Sequence, residues 1–278
     1  MTVQDPETFW RGVNAYFKFG TKLCDAGGTG YSYVTALSNT SFSFTTTLEM
    51  PGMSKQEAYE FVQPLFDDLK EIGIPVNNSQ PVTSLSWGDT RKGEGDAPGN
   101  IRFATRLMPR QNWENDTLFE ETMTAMRQVI EAGYSFHGVQ VAPTEKTAGY
   151  PGGSAVNPAF RNTLMHADFF DMAPATGLPA QALKNAHATF NSYMDKIRAV
   201  TPGAGSYLNE ADVQEPNWQQ SFFGSNYDKL LAIKKARDPW GLFWAPTTVG
   251  SENWVVRTAD GLPTQNGPLC RSDAANVM

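Results

Sequence analysis

Residues 41 to 48 alternate strictly between two kinds of side chain. One side of the run carries Phe42, Phe44, Thr46 and Leu48, and the other carries only serine and threonine. Because successive side chains of a strand point to opposite faces, this pattern predicts a strand with one buried and one polar face. Such strands are typical of an antiparallel sheet that is covered on one side, whereas parallel sheets bury both.

Helix signals alternate with the strand-like runs. Asp5 and Pro6 suit the start of a first helix, and Gly20 is expected to end it. Ser54 and Glu57 form a capping box that opens a second helix, and Gly73 is expected to close it. The glycine-rich residues 27–30 then read as a turn between helix and strand, because a dinucleotide-binding loop needs a preceding strand and a third glycine at a helix start.

The same mixture continues to residue 200. Strands are predicted at 101–108, 134–142 and 160–171, helices at 117–132 and 179–200, and loops at 74–100 and 143–159. This order predicts an α+β fold: an antiparallel β-sheet covered on one face by helices, with the other face free to bury something.

From Ser206 onward the pattern changes. The residues SYLNEAD predict a short strand, an aromatic stretch follows, and a helix from Asn226 is expected to stop at Pro239. The remaining residues have no strong period and read as a tail that wraps this domain or another one.

Composition excludes several classes of protein. The net charge of -7 and the pI of about 5.0 argue against binding to nucleic acid or to an anionic membrane surface. No run of eighteen apolar residues predicts a membrane span, and the first residues do not form a signal peptide. Three sequons, at Asn39, Asn77 and Asn115, are a mild hint of a secretory history that leaves the compartment open.

Few residues carry a chemical signature. Cys24 and Cys270 could form one disulfide, pair with another chain or stay free. No Gly-x-Ser-x-Gly elbow supports a serine hydrolase. His166 and Asp168 share one strand face and could bind metal with a third ligand, but a satisfied structural pair is favoured, so no metal site is predicted.

A second polar cluster lies just after Ser206. Tyr207 and Asn209 are expected on one strand face and Glu210 on the other. A carboxylate at the edge of a domain acts as a general base when burial raises its pKa, but composition alone favours a solvated turn.

A family resemblance rests on this region. A set of residues with a specific spacing extends across more than thirty positions. It consists of Tyr207 to Asp212, Trp218, residues 223–227, Leu230, Ile233, Lys234, Asp238 and Pro239. This segment resembles the C-terminal signature of the berberine-bridge-enzyme-like oxidases, which are flavoproteins of the vanillyl-alcohol-oxidase type. Residues 25–31 and 249–254 resemble the fungal members in particular.

The resemblance implies that the full protein consists of domains with different functions. In the family an N-terminal domain binds FAD, a second domain covers the flavin and forms the substrate pocket, and the last segment returns to the flavin domain. Residues 1–205 would then be the substrate-binding domain and residues 206–278 the C-terminal berberine-bridge-like segment. The sequence has no counterpart of the FAD-binding domain, so FAD would be held by a missing N-terminal half, either supplied in trans or lost.

The resemblance also implies roles for single residues. Tyr207, Asn209 and Asn226 match positions near the flavin or its domain, and Glu210 stands where several relatives have a catalytic tyrosine. Some plant members carry a catalytic carboxylate on the strand after a Pro-x-Arg element. The matching position here lies near Ala167, and His166 and Asp168, which adjoin it, would line the substrate pocket.

These roles define the expected function and its alternatives. The chain would be the substrate-binding half of an FAD-dependent oxidase that oxidises a small organic molecule, with Glu210 removing a proton and O2 reoxidising the flavin. The alternatives are a flavin-free binding protein, a non-redox cyclase that kept only the pocket, or an inactive truncated product.

Overall fold

The computed structural model describes residues 5–38, 40–76, 81–82, 101–149, 153–173 and 177–272. Most of the predicted loop at 74–100, part of the predicted loop at 143–159, and the sequons that begin at Asn39 and Asn77 lie outside these ranges. Across the described ranges, every helix is too short or too polar to cross a membrane.

Five strands form one antiparallel sheet. In chain order they are β1 (Thr29–Ser38), β2 (Ser41–Glu49), β3 (Arg102–Pro109), β4 (Ser135–Gln140) and β5 (Thr163–Asp171). Their order across the sheet is β2–β1–β4–β5–β3, and every neighbouring pair is antiparallel. The predicted α+β class with an antiparallel sheet is confirmed.

One end of the sheet differs from the sequence prediction. The strand expected from residue 160 begins at Thr163, because Pro158–Asn162 forms a 3-10 turn. The side chain of Asn157 caps this turn by accepting a hydrogen bond from the backbone N–H of Ala159. The proline has no N–H to give to a strand ladder, so the turn precedes the sheet.

Helices lie between and after the strands. They are α1 (Pro6–Asp25), α2 (Lys55–Ile72), α3 (Gln111–Glu114), α4 (Asp116–Glu131), α5 (Glu145–Ala148), α6 (Ala180–Val200), α7 (Trp218–Phe223) and α8 (Tyr227–Arg237). Three of them, α1, α4 and α6, pack on the same face of the sheet, and α2 packs on α1. The core between them and the sheet is aromatic: Phe17 contacts Phe136, which contacts Phe169.

The predicted helix starts are confirmed. Asp5 accepts a hydrogen bond from the backbone N–H of Thr8 at 2.8 Å, which caps α1. Ser54 and Glu57 form the reciprocal capping box that opens α2, and Gly73 closes that helix at φ +95°. The predicted alternation of apolar and polar side chains along β2 is confirmed as well. Phe42 stacks on Phe9 of α1, and Phe44 contacts Tyr16 of the same helix.

The prediction that Gly20 ends the first helix is wrong. The helix α1 continues to Asp25, and Gly27 at φ +80° makes the turn into β1. A Cβ on Gly20 would lie 2.0 Å from Nε2 of the buried Gln140 side chain on β4. Gly20 therefore permits a close approach of helix and sheet, a packing role that looks like a helix end in the sequence.

The predicted strand after Ser206 is also wrong. Backbone pairing with the edge strand β3 is limited to a bond from Leu107 N–H to Gly205 O, and Ser206 Oγ donates to Thr105 O. The chain then tightens into a 3-10 turn, Leu208–Glu210, closed by Glu210 N–H to Tyr207 O. The turn carries residues 207–210 away from the sheet edge and over its open face.

The C-terminal segment is fastened to the sheet and its helices. Asn157 Nδ2 donates to Ser221 O at 2.7 Å, and Glu215 pairs with Arg198 at 2.7 Å. The aperiodic tail contains a two-stranded hairpin that the sequence did not reveal, β6 (Trp254–Val256) with β7 (Leu269–Arg271). The division into domains at residues 205 and 206 stays a prediction.

Candidate functional site

A row of polar side chains crosses the sheet face that the helices leave free. Tyr33, His137, Asp168 and Thr105 come from β1, β4, β5 and β3, and each is the register partner of the next. Because partners in register point to the same face, the four side chains form one line across four strands. The sheet thus assembles the site from positions far apart in sequence.

His137 and Asp168 form the centre of this row. Nδ1 of His137 donates to Oδ2 of Asp168 at 2.9 Å, and the Asp168 side chain is only 2% exposed. The ring of Tyr33 stacks on His137 with centroids 4.3 Å apart and planes 12° apart. The hydrogen bond assigns the Nδ1 proton to His137, so in its neutral form Nε2 is an acceptor.

His166 lies beside this pair, on the same strand face as Asp168. Its Nε2 is 3.1 Å from Asp168 Oδ1, and its Nδ1 is 3.5 Å from Glu210 Oε2. Burial lowers the pKa of His166 below its usual value, although the Asp168 carboxylate opposes that shift. The ring of Tyr207 meets His166 edge-on at 5.5 Å.

Several atoms of this cluster are buried without a hydrogen-bond partner in the part of the chain that the structure describes. They are Nε2 of His137, Nε2 of His166, Oδ1 of Asp168 and Oγ1 of Thr105. His166 Nε2 and Asp168 Oδ1 are close, but their alignment is too poor for a hydrogen bond. Since buried polar groups are normally satisfied, such a concentration indicates a site for a polar ligand.

The turn after Ser206 brings the other sequence-predicted residues to this cluster. Asn209 Nδ2 donates to the hydroxyl of Tyr207 at 2.8 Å, and the Glu210 side chain is 47% exposed beside His166. The roles predicted for these three residues stay predictions. The structure places them next to His166 and Asp168, which the sequence assigned separately to a substrate pocket.

Asn226 lies elsewhere. It is buried, and its Nδ2 donates to Val156 O at 2.9 Å and to Ser154 O at 3.4 Å. Its amide therefore holds the 154–156 loop against the C-terminal segment. The structure shows no contact of Asn226 with the polar row among the described residues, and its predicted place near a cofactor stays a prediction.

A metal ion would need a third ligand, and Glu210 is the candidate that the structure offers. Ligand atoms of His166, Asp168 and Glu210 lie within 4.8 Å of one another. However, the two carboxylates face opposite nitrogens of one imidazole, whose lone pairs diverge. The arrangement suits a histidine between two acids better than a common metal centre.

Sequence reasoning missed His137 and Tyr33. The segment 134–142 is predicted as a strand, and the alternation that puts Ser135, His137 and Val139 opposite Phe136 is the signal that places His137 on the polar face. Its pairing with Asp168 depends on β4 and β5 being neighbours, which the sequence did not show.

Two other features carry less chemistry. An apolar cleft of about 390 Å³ lies between α1, β2 and α2, lined by residues such as Phe44, Leu65 and Leu69. It opens on the helix side of the sheet, away from the polar row. Cys24 and Cys270 are both free, and burial raises the pKa of the Cys24 thiol to about 12, which leaves it un-ionised and unreactive at neutral pH.

Comparison with known proteins shows which proteins the chain is similar to. The family model described as "Berberine and berberine like" matches residues 206–250, which include the turn at 207–210. The bifunctional decalin synthase calF of Penicillium decumbens is 30% identical over 98% of this chain and 46% of its own length. The FAD-linked oxidoreductase ZEB1 of Gibberella zeae is 30% identical over 96% of this chain and 45% of its own.

Solved structures show the same fold. The VAO-type flavoprotein MtVAO615 from Myceliophthora thermophila C1 matches 96% of this chain and 47% of its own, with a TM-score of 0.79 at 24% identity. The D396N variant of Physcomitrella patens BBE-like 1 matches 90% of this chain and 53% of its own, with a TM-score of 0.64 at 15% identity.

The fold is that of about half of the VAO-type flavoprotein MtVAO615, and residues 206–250 match the berberine-like family model. By sequence the chain is similar to the C-terminal half of the fungal, berberine-bridge-like FAD-linked oxidoreductases, which confirms the resemblance stated from the sequence. The chain spans about half the length of the curated relatives that it matches.

Proposed function

We propose that this chain is the substrate-binding half of an FAD-dependent oxidase that acts on a small organic molecule. Residues 1–205 would form the substrate domain, and residues 206–278 would contact a flavin-binding half. FAD, when bound there, supplies the acceptor for a hydride, and O2 is the final electron acceptor. The observation that carries the proposal is the group of buried polar atoms on the open sheet face that find no hydrogen-bond partner in the described part of the chain.

These atoms fit a substrate that lies between the sheet and a flavin. His137 Nε2 and Asp168 Oδ1 offer buried acceptors, and Tyr33, which is 51% exposed, offers an aromatic surface beside them. A flat face of this kind would be enclosed only when a second surface covers it. Enclosure excludes water and strengthens each polar contact, which favours charge-separating chemistry.

Glu210 is the proposed base. Its carboxylate stands at the border between the buried cluster and solvent, 3.5 Å from His166 and 47% exposed. From there it can remove a proton from a substrate on the open face and exchange it with water. Tyr207 and Asn209, joined by their hydrogen bond, would contact the flavin side of the same pocket.

A second surface feature supports a partner half. Trp240, Leu242 and Phe243 are 80%, 79% and 76% exposed. Large apolar side chains exposed together mark an interface. They follow α8 within the segment that matches the berberine family model, so the proposed flavin-binding half would bury them.

The test is to purify the tagged chain from its natural source, identify co-purifying chains by mass spectrometry, and record the visible absorbance spectrum. We expect a stoichiometric second polypeptide, or a longer form of the same polypeptide, together with flavin absorbance. A colourless monomer at full yield would refute the flavin-linked proposal.

Within an assembled enzyme, the Glu210→Gln substitution tests the base. We expect turnover to fall by at least about 100-fold, as is typical for loss of a general base, while the flavin stays bound. Glu121→Gln, which removes a carboxylate from the exposed face of α4, is the matched control and should leave turnover unchanged. Unchanged turnover in Glu210→Gln would remove Glu210 from the mechanism.

One observation favours a second candidate function. A relative that matches 98% of this chain is named a bifunctional decalin synthase, and a decalin is a fused pair of carbon rings. The open face could guide ring closure of a bound polyene by shape, without redox chemistry. This alternative predicts that the colourless chain binds a linear polyene and converts it to a cyclic isomer of the same mass.

A further inference from the structure

His166 is the residue on the open face whose two ring nitrogens each face a different carboxylate. Nε2 is 3.1 Å from Asp168 Oδ1 and Nδ1 is 3.5 Å from Glu210 Oε2. Asp168 is in turn held by the Nδ1–H of His137 at 2.9 Å. Close approaches therefore place Glu210, His166, Asp168 and His137 next to one another, from the solvent border to the buried centre of the sheet.

The two carboxylates differ in their surroundings. The Asp168 side chain is 2% exposed and lies between two histidines, whereas that of Glu210 is 47% exposed. A buried carboxylate that accepts a hydrogen bond is a fixed negative charge, and an exposed one can exchange protons with water. Asp168 thus suits the stabilisation of a cation on His166, and Glu210 suits the exchange of a proton.

We propose that His166 is a positioning residue that acts through Glu210 by exchanging a proton with it. A proton taken up by Glu210 moves from Oε2 to His166 Nδ1: the O–H bond breaks, the nitrogen lone pair forms the N–H bond, and Glu210 regains its negative charge. Asp168 neutralises the imidazolium that results. The proton later returns to Glu210 and leaves to solvent.

The environment of His166 supports this order of events. The titratable groups that face it are Asp168 on its own strand, His137 on β4, and Tyr207 and Glu210 on the turn after Ser206. Arg106 on β3 is the register partner of Ala167, the residue next to His166. Its side chain points to the opposite face of the sheet and donates hydrogen bonds to Thr201. Burial disfavours the charged ring, so the proton stays on His166 only while a neighbouring carboxylate supports it.

This inference rests on the proposed role of Glu210, but its test does not need a flavin or a substrate. The chain contains three histidines, so nitrogen NMR of the full chain with 15N-labelled histidine resolves each ring. Single His→Gln substitutions assign the three rings. The chemical shifts tell which nitrogen carries the proton, and a pH series gives each midpoint.

We expect His166 to take up its second proton at Nδ1, the nitrogen that faces Glu210 at 3.5 Å. In Glu210→Gln the midpoint of His166 should fall by about one pH unit, since an opposite charge within about 4–6 Å is lost. Glu121→Gln is the charge-matched control and should leave that midpoint unchanged.

Two outcomes would overturn the inference. One is an unchanged His166 midpoint in Glu210→Gln, and the other is a neutral His166 that carries its proton on Nδ1. Both can be observed whether or not a flavin-binding half exists, so failure of the relay is distinguishable from failure of the oxidase proposal. His187, which pairs with Asp212 at 2.6 Å, reports in the same spectra that each variant keeps its fold.

Discussion

Glu215 shows how one buried charge ties the C-terminal segment to the rest of the chain. Its side chain is 2% exposed and lies 2.7 Å from Arg198 and 3.9 Å from Arg106. Arg106 also donates to the side chain and the carbonyl of Thr201. Two arginines on different elements thus converge on one carboxylate from the segment after Ser206.

Glu215→Gln should lower the free energy of unfolding by about 3 kcal/mol, because it leaves two largely buried guanidinium groups without their shared counter-charge. Glu114→Gln is the matched control, since Glu114 is 57% exposed and 3.7 Å from Arg110. That control should change stability by less than about 1 kcal/mol. Urea unfolding checks both, and equal effects would mean that the buried pair contributes no more than a surface pair.

His166 makes the stability of the chain depend on pH. Burial lowers its pKa below the ordinary value of 6.5, so the unfolded chain takes up a proton at a higher pH than the folded chain. The contribution to stability is complete above about pH 6.5 and is lost as the pH falls towards the folded pKa. Urea unfolding at pH 7.5 and 5.5 should show a smaller acid loss in His166→Gln than in the wild type. An equal loss would contradict the assignment.

At the scale of elements, the closest approach at any described glycine is that of Gly20 on α1 to Gln140 on β4. Gly20→Ala should destabilise the chain by about 1–3 kcal/mol through overpacking, although alanine is the better helix former by about 1 kcal/mol. In a Gln140→Ala background the same substitution should become neutral or stabilising, because the clashing carboxamide is gone. A double-mutant cycle by urea unfolding measures the coupling, and additive effects would refute the contact.

Element boundaries were predictable where the signal is local. The Asp5 cap, the Ser54 capping box and the alternation of β2 act within a few residues of the backbone that they shape, and all appear in the structure. Gly20 was misread because its role depends on Gln140, which is 120 residues away in sequence. The strand expected after Ser206 failed because its partner is an edge strand that offers a single backbone bond at Leu107.

The sequence predicted most residues of the candidate site, but it did not predict that they lie next to one another. The family-like spacing after Ser206 singled out Tyr207, Asn209 and Glu210, and strand alternation singled out His166 and Asp168. Their meeting depends on the sheet order and on a turn of three residues, and neither leaves a periodic signal. The same reason hid His137, whose partner lies on a neighbouring strand.

At the scale of the whole molecule, the fold divides its surfaces by chemistry. Helices α1, α4 and α6 bury one face of the sheet, and the other face carries four buried polar atoms that have no hydrogen-bond partner among the described residues. The C-terminal segment crosses from the edge strand β3 to the open face and then continues to α8 and the exposed apolar residues beyond it. One continuous stretch of chain from Ser206 onward therefore adds Tyr207, Asn209 and Glu210 to the polar face and also carries the exposed apolar group.

This arrangement leads to a prediction about assembly. Replacing Trp240, Leu242 and Phe243 together by serine should reduce capture of the proposed flavin-binding half by at least about tenfold, because exposed aromatic anchors dominate interface energies. The free energy of unfolding of the isolated chain should stay within about 1 kcal/mol, since the three side chains are 76–80% exposed.

Leu178→Ser is the control, because Leu178 is 43% exposed and precedes α6, far in sequence from the apolar group. Affinity purification with quantitative mass spectrometry measures capture, and urea unfolding measures stability. Undiminished capture by the triple variant would place the interface elsewhere. A large loss of stability would show that the three residues pack within the chain, because a surface that waits for a partner contributes little to the fold of the half that carries it.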